Sequence, residues 1–590
     1  PAMAEVSESA AQVLYSAEGD AKFEFDPKTM RRTKPGFKRF TLSVSVLLSF
    51  ILGLPFLLKS VEIYRSPLPF GEIDELSAAV ELSPLHFPCN FRAVFIGFGG
   101  FTSNPEELSA VIQSELTASD STSCGACDYS STVSVTLVSG SGCSHSAYIP
   151  NWKCESLNEL IRNQESGKLD DESFDEQLHL LDYRECRKCQ AFYTVFVIRR
   201  EEEEGKVRSV IGKYRHAWIL GEVSAEEAVK KVAEIFVKGF VNGWKEEAPI
   251  GGEFMPVGAD GRTVLSFSLL NADPHDWIYD WDFQRIEEDI LMPVVEALKP
   301  LADIKIESQV VLYHTPKSSL SQWDDKLRSY TFTKNDLPFF VNSNEWHLDT
   351  SIEAGGRSKI LHFVVYVPSA AECPLLFRLP NEEVSSTNGF ISPMWGGVVV
   401  WNPSRCLNET RTGPHFNQKI PSEDIRKIFE VFLAQFRQLF GLKSSHNHLL
   451  DQSESLELLT DRRGFTQWEM DVLSRQHTCF NLHQSVTTLG SLSRLVQSLP
   501  RMIIKDEIGK QVKYSLEAAK QALSNASDGF YHDSSSVASS RKARSLSEDA
   551  FYHPSMVSVS YFSFEHCFAV YSPFFLPVSL HVILAALKEW

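Results

Sequence analysis

Six of the eleven cysteines gather in one stretch, and four of them form two C-x-x-C pairs, "CGAC" at Cys124 and Cys127 and "CRKC" at Cys186 and Cys189. Two such pairs can supply the four thiolates of a structural zinc site. These stand too far apart for a compact ribbon, so disulfides among Cys124, Cys127, Cys143, Cys154, Cys186 and Cys189 are the expectation, with the pairing left open. Neither pair opens a helix after a clear strand, as a dithiol redox centre needs.

Histidines offer two other chemistries. His347 and Asp349 have the spacing of two ligands of a two-histidine, one-carboxylate iron site, with His362 or His415 available as a third. A turn or surface role explains so short a triplet more simply. His477 lies two residues before Cys479, the residue types of a thiol protease, but no nucleophile signature surrounds them. The chain carries no G-x-S-x-G elbow, P-loop or H-E-x-x-H helix, and "GFGG" at 97–100 misses the third glycine of a dinucleotide fingerprint. A chain of 590 residues without a catalytic constellation points toward a scaffold or binding subunit, with no cofactor and no metal. The alternative is a membrane-anchored lumenal enzyme, a metal-dependent oxygenase or a transferase, using His347 and Asp349.

The elements that position these residues begin with a membrane question. Phe40 to Leu58 is uncharged over about 19 residues, nearly the thickness of a bilayer core at 1.5 Å per residue, and Lys28, Arg31, Arg32, Lys34, Lys38 and Arg39 precede it. A cleaved signal has a shorter core and a small-residue cleavage site, so a retained anchor with a cytoplasmic N-terminus is expected. A second apolar run, residues 567–587, lacks the polar spacer of a GPI-attachment signal and reads as another span. Two spans put both termini in the cytoplasm and the bulk of the chain in a lumen. The sequons at Asn408 and Asn525 fall in that lumenal part and are candidate glycosylation sites. A net charge of -19 argues against nucleic acid as a partner.

Between the spans, strands alternate with helices, which predicts a mixed α/β fold with a helical C-terminal part. The first block, 59–255, holds strands near 91–100, 132–138, 190–200 and 215–221 and a helix over 225–245 capped by Ser224. The second, 256–445, holds strands near 264–274, 304–313, 359–368 and 396–403, a helix over 283–298 kinked at Pro293, and an amphipathic helix capped by Ser422 and ended by Gly441. Ile304, Ile306, Ser308 and Val310 share one strand face. In the third, 446–566, the chain is helical from Gln467 to Ala526, interrupted near Pro500, and 528–549 reads as a mobile loop. Residues 1–39 read as a cytoplasmic tail.

"LGLPFLLKSVEIYRSPLPF", "FSLLNADP", "IESQVVLY", "FVVYVP", "WGGVVVWNP", "VFLAQFRQLFGL" and "IIKDEI", in this order, resemble the PIG-S subunit of the GPI transamidase. The likeness runs from about Leu52 to the last apolar run and is weakest over Cys124 to Cys189. It implies a two-span endoplasmic reticulum membrane protein whose lumenal domain supports transfer of preassembled GPI to the C-terminus of proproteins. It also implies that the subunit is non-catalytic, catalysis residing in a caspase-like PIG-K partner. The partners it implies are PIG-T, PIG-K, PIG-U and GAA-type subunits and the lipid of that membrane. The sequon at Asn408 follows "WGGVVVWNP" closely, where the family tends to have one, which makes it the stronger of the two.

Overall fold

The computed structural model describes residues 37–60, 65–81, 85, 87–98, 104–118, 125–128, 133–139, 142–145, 154–165, 169–185, 192–199, 207–243, 255, 257–258, 260–312, 322–341, 358–407, 415–442, 456–499, 502–527, 535–557 and 564–589. The chain divides into two compact units, Ser66–Pro500 with Ile504–Val557, and Pro1–Arg65 with Arg501–Ile503 and Ser558–Trp590.

The larger unit opens with α1 (Phe70–Glu81) and then winds a seven-stranded sheet. Its elements are β1 (Asn90–Ile96), α2 (Pro105–Ala118), β2 (Val133–Ser139), β3 (Gly142–His145), α3 (Cys154–Glu165), α4 (Asp171–Glu185), β4 (Phe192–Arg199), β5 (Arg208–Ile211), β6 (His216–Gly221) and α5 (Ala225–Glu234). The central strands β6, β4, β1 and β2 are parallel and in register, Ala217 beside Val195, Val195 beside Ala93, Ala93 beside Val135. A parallel sheet must be covered on both faces, and the period of two divides the work. Phe91, Ala93, Phe95, Tyr193, Val195 and Val197 pack under α2 and α5. Val94, Ile96, Phe196 and Ile198 pack under α3 and α4. Ser224 Oγ accepts from Glu227 N at 3.3 Å, capping α5 as its spacing predicts, but regular α-helix ends at Glu234 and wider turns carry the chain from Ile235 to Val241.

The second sheet has five strands, β7 (Arg262–Asn271), β8 (Asp303–Leu312), β9 (Lys359–Val367), β10 (Gly389–Ser392) and β11 (Gly396–Val400), in the order β8-β7-β9-β11-β10. One face meets α6 (Ser422–Leu439), whose Ile425, Ile428, Phe429, Phe432 and Phe436 join Phe267 and Phe363 in an aromatic core. Gly441 ends the helix at φ 78°, with Leu442 N bonded back to Arg437 O. Two local expectations are corrected here. Pro421 occupies the cap position and Ser422 is the first helical residue. The irregularity in 283–298 is a wide turn at Glu287–Leu291, and Pro293 lies in the first turn of the helix that follows it. Val310 is 39% exposed, because β8 is the outermost strand and its second half runs past the core that buries Ile304.

After α6 the chain returns to the first sheet as β12 (Leu456–Leu458), parallel to β5, and continues as three packed helices, α7 (Gln467–Ser498), α8 (Asp506–Ser527) and α9 (Ser535–Phe551). The expected mobile loop at 528–549 is therefore largely helix. Ser536, Ser540, Ala543, Ser547 and Ala550 recur every three or four residues and are fully buried. Such small side chains let helix backbones come close, and their low hydrophobicity hides the amphipathic stripe.

In the smaller unit, helix Phe37–Ser60 encloses the first apolar run, helix Phe564–Glu589 encloses the second, and the two pack together. Leu42, Ile51, Leu52, Leu576, Leu584 and Leu587 all point outward, each more than half exposed. Among the described residues no helix is long and apolar enough to cross a membrane.

Candidate functional site

The densest array of buried charge lies along α7. Thr466 caps the helix, and Glu469 Oε2 accepts from Thr466 N at 2.8 Å, a capping box. The same carboxylate receives the guanidinium of Arg437 from α6. Two residues on, Asp471 takes Arg215 in a two-pronged contact of 2.6 and 2.9 Å and Tyr193 Oη at 3.2 Å. A turn further, Arg475 donates to Tyr193 Oη at 2.7 Å and to Phe240 O at 2.7 Å, and is wholly buried. Trp468 Nε1 donates to Gly212 O at 3.0 Å.

Helical spacing explains the arrangement. Residues 468, 471, 472, 475 and 479 share a stripe against the first sheet, while Glu469 and Leu473 turn toward the second. Unpaired buried charges would cost several kcal/mol each, and here each has an ionic or hydrogen-bonded partner. The array ties two sheets to one helix. It offers no reactive group: Asp471 is saturated by donors, and every member of the array on α7 is at least nine-tenths buried.

A second polar row crosses the first sheet at the level of Ser134, Arg92, Thr194 and His216, neighbours in register on β2, β1, β4 and β6. Asp175 of α4 faces it, with Oδ1 3.5 Å from His216 Nδ1 and Oδ2 accepting from Lys213 N at 2.6 Å. The carboxylate occupies the space that a side chain on Gly212 would fill. Hydroxyl, imidazole and carboxylate are the parts of a hydrolase triad. Thr194 Oγ1, however, makes no hydrogen bond among the described residues, and Thr194, His216 and Asp175 are no more than 2% exposed. Substrate has no path to them.

The residues singled out from the sequence do not converge. Cys127 pairs with Cys89, which lies outside the expected set of six, and the bond joins the short parallel strands Phe87–Pro88 and Cys127–Asp128. A second disulfide, Cys373–Cys406, links the segment before strand Leu375–Phe377 to the turn after β11. No spacing rule picks out either pair, at separations of 38 and 33 residues. Cys143 lies in β3 and Cys154 begins α3. Cys124, Cys186, Cys189, Asn408, His347 and Asp349 fall outside the described residues. Asn525 sits half-buried in the last turn of α8.

Cys479 is disulfide-bonded and is no nucleophile, so His477 has no thiol beside it to activate. Burial lowers His477 to about 4, so its ring is neutral, with Nδ1 2.8 Å from Leu473 O. His362, on β9, rests against Trp395 with ring centres 5.4 Å apart, and burial lowers its pKa too. His415 belongs to a different sheet, in the strand paired with Trp277–Asp280. Among the described residues no three His, Cys, Asp or Glu side chains are placed to hold a metal ion.

A site made of struts rather than reactive groups leaves identity to overall likeness. The sequence profile of "PIG-S: Phosphatidylinositol-glycan biosynthesis class S protein" matches residues 44–590. The chain belongs to the PIG-S family. This PIG-S chain is 26% identical over 560 residues to the mouse "GPI-anchor transamidase component PIGS" and 25% identical over 560 residues to the human protein of that name, covering 92% of each chain in both cases. The "GPI transamidase component GPI17" of Saccharomyces cerevisiae is 24% identical over 331 residues, 54% of this chain and 56% of the yeast one. The family match runs through the α7 array and both sheets of the PIG-S fold.

Proposed function

We propose that this chain is a non-catalytic subunit of a GPI transamidase, supporting the attachment of preassembled GPI to the C-terminus of proproteins in the endoplasmic reticulum. The carrying observation is the family match over 44–590 together with relatives named as components of that enzyme. The burial of both polar clusters supports a structural role, with the chemistry in a caspase-like PIG-K partner and contacts to PIG-T, PIG-U and GAA-type subunits.

The same reading has residues 40–58 and 567–587 crossing the membrane, residues 1–39 in the cytoplasm and the blocks 59–255, 256–445 and 446–566 in the lumen. Outward leucines on both terminal helices and the basic residues before the first support this topology. Disulfides at Cys89–Cys127 and Cys373–Cys406 suit an oxidising lumen. Asn408 and Asn525 are then the acceptors of N-glycans, and Asn408 is the better candidate, since Asn525 lies within a helix.

Depleting the chain in its own cells tests the proposal. A GPI-anchored reporter is expected to leave the surface while its precursor accumulates with an uncleaved C-terminal signal, and re-expression of the chain restores it. Normal anchoring after complete depletion would refute the role. Loss of a glycosidase-sensitive mobility shift in Asn408→Gln checks the lumenal placement.

A further inference from the structure

Helix Phe564–Glu589 carries two prolines, Pro573 and Pro577, and its apolar run 567–587 holds a single histidine, His581. Proline has no N–H, so the carbonyls of Ala569 and Pro573 lose the donors that an unbroken helix supplies four residues on. His581 Nδ1 donates to Pro577 O at 2.7 Å. A carbonyl oxygen only accepts, so Nδ1 carries the hydrogen, and in a neutral ring Nε2 is left as an acceptor.

These groups share one side of the helix. Ala569, Pro573, Pro577 and His581 recur every four residues and all are exposed. At about 100° per residue, Pro573, Pro577 and His581 lie about 120–160° round the axis from Ser579. The two helices of this unit pack together, and Ser572, Ser579 and Val582, the less exposed of the described residues in the run, fall within about 80° of one another on the other side. The acceptor stripe therefore points away from that side.

We propose that the stripe seats a membrane-spanning helix of another chain, one that presents hydrogen-bond donors such as serine, threonine, asparagine or tyrosine side chains to Ala569 O, Pro573 O and His581 Nε2. This rests on the reading that 567–587 crosses the membrane. In hydrocarbon an unsatisfied polar group is costly, and acyl chains offer no donor. From 569 to 581 the helix rises about 18 Å, more than half of a bilayer core of about 30 Å, so a lipid headgroup at one surface does not reach both ends. A second helix does, because its side chains recur with the same rise. A second copy of this helix fits poorly, since its described exposed side chains are aliphatic apart from His581, whose Nδ1 hydrogen is already given to Pro577 O. Acceptors would then face acceptors.

The test uses the full chain in membranes of cells that lack their own copy, with a benzophenone amino acid in place of Leu584 or of Ile583. Leu584 is exposed and flanks His581 on the stripe, whereas Ile583 is exposed at the same depth but about 100° round the helix. Light is expected to join position 584 to a membrane-spanning peptide of another chain that carries a donor side chain at the level of His581, identified by mass spectrometry, and position 583 should give far less of that product. His581→Leu keeps the helix apolar and removes one acceptor. After dilution into detergent it should lower the yield from position 584 roughly three- to fifteen-fold, the range of one interhelical hydrogen bond. His581→Asn, whose amide oxygen accepts, should restore part of it. Pro577→Ala gives Pro573 O a donor within its own helix and should lower the yield although it favours the helix. Products of position 584 with lipid alone, with helix Phe37–Ser60 or with a second copy overturn the inference, as do no product at all, equal yields from 583 and 584, or an unchanged yield in His581→Leu. If a variant does not accumulate, the comparison of 584 with 583 decides alone. Failure of the proposed function shows separately, as a wild-type chain that co-purifies with no transamidase component whatever position 584 touches.

Discussion

Acid should loosen α7 through one side chain. His477 is 1% exposed, packed against the Phe440 ring at 5.9 Å between centres, and its pKa falls from 6.5 to about 4. Desolvation is the main cause, and the Arg544 cation adds to it, while the Leu473 carbonyl opposes both. The unfolded chain therefore binds a proton near pH 6.5 that the folded chain refuses until about 4. The stability that depends on a neutral ring is complete above pH 6.5 and is lost as pH falls through the window from 6.5 to 4. At 1.36 kcal/mol per pH unit, acidification from pH 7 to 5 costs about 2 kcal/mol. In His477→Gln the amide can still donate to Leu473 O, and nothing titrates. Urea-dependent hydrogen exchange of peptides from α7, corrected for intrinsic rates, reads the local opening free energy at pH 7, 6 and 5. The wild-type protein should lose about 2 kcal/mol more than the variant over that range. Parallel pH profiles for the two would refute a neutral buried imidazole at this position.

Three further outcomes follow from packing and charge. Glu469→Gln leaves the Arg437 guanidinium buried without its anion and should cost about 3–5 kcal/mol, whereas the double variant Arg437→Met with Glu469→Leu should cost clearly less, both measured by urea denaturation. Gly125→Ala should destabilise by about 1–3 kcal/mol, since it forces a side chain at φ 87° against the α7 backbone, while Gly71→Ala, with nothing within 4 Å, should be close to neutral. Ala543→Leu should cost about 1–3 kcal/mol and lower the melting temperature, because that position is fully buried where α9 meets α8 and Ser515 Oγ donates to its carbonyl at 2.7 Å.

What the sequence makes legible here is whatever hydrophobic contrast encodes. Strands such as 190–200 and 396–403 stand out because both faces of a parallel sheet are buried, giving near-continuous apolar runs. The α6 stripe stands out because phenylalanine and isoleucine repeat at helical spacing beside lysine and glutamate. Where burial is achieved by small or charged residues, that contrast vanishes. Helix α9 buries serine and alanine, so its composition reads as a loop although its periodicity is regular. Helix α7 buries Arg475, Asp471 and Glu469, so charge that ordinarily marks a solvated face marks an interior one.

The residues of the α7 array were hidden for the same reason. A catalytic motif declares itself by local spacing, but a strut works through partners 256 to 282 positions away, as Asp471 does with Arg215 and Arg475 with Tyr193. Disulfides share this property: Cys89 and Cys127 meet because two short strands run side by side, and the Cys-x-x-Cys spacing that drew attention to Cys127 has no part in it. On the proposed non-catalytic role, the most constrained chemistry of the chain is spent on joining its own sheets through α7. That makes the α7 array the place where a destabilising change should impair assembly without touching any reacting atom. A variant such as Glu469→Gln should therefore lower the amount of chain incorporated into a transamidase, measured by co-purification at 37 °C, while the activity per assembled complex stays unchanged. A loss of activity in fully assembled complex would mean that this helix does more than hold.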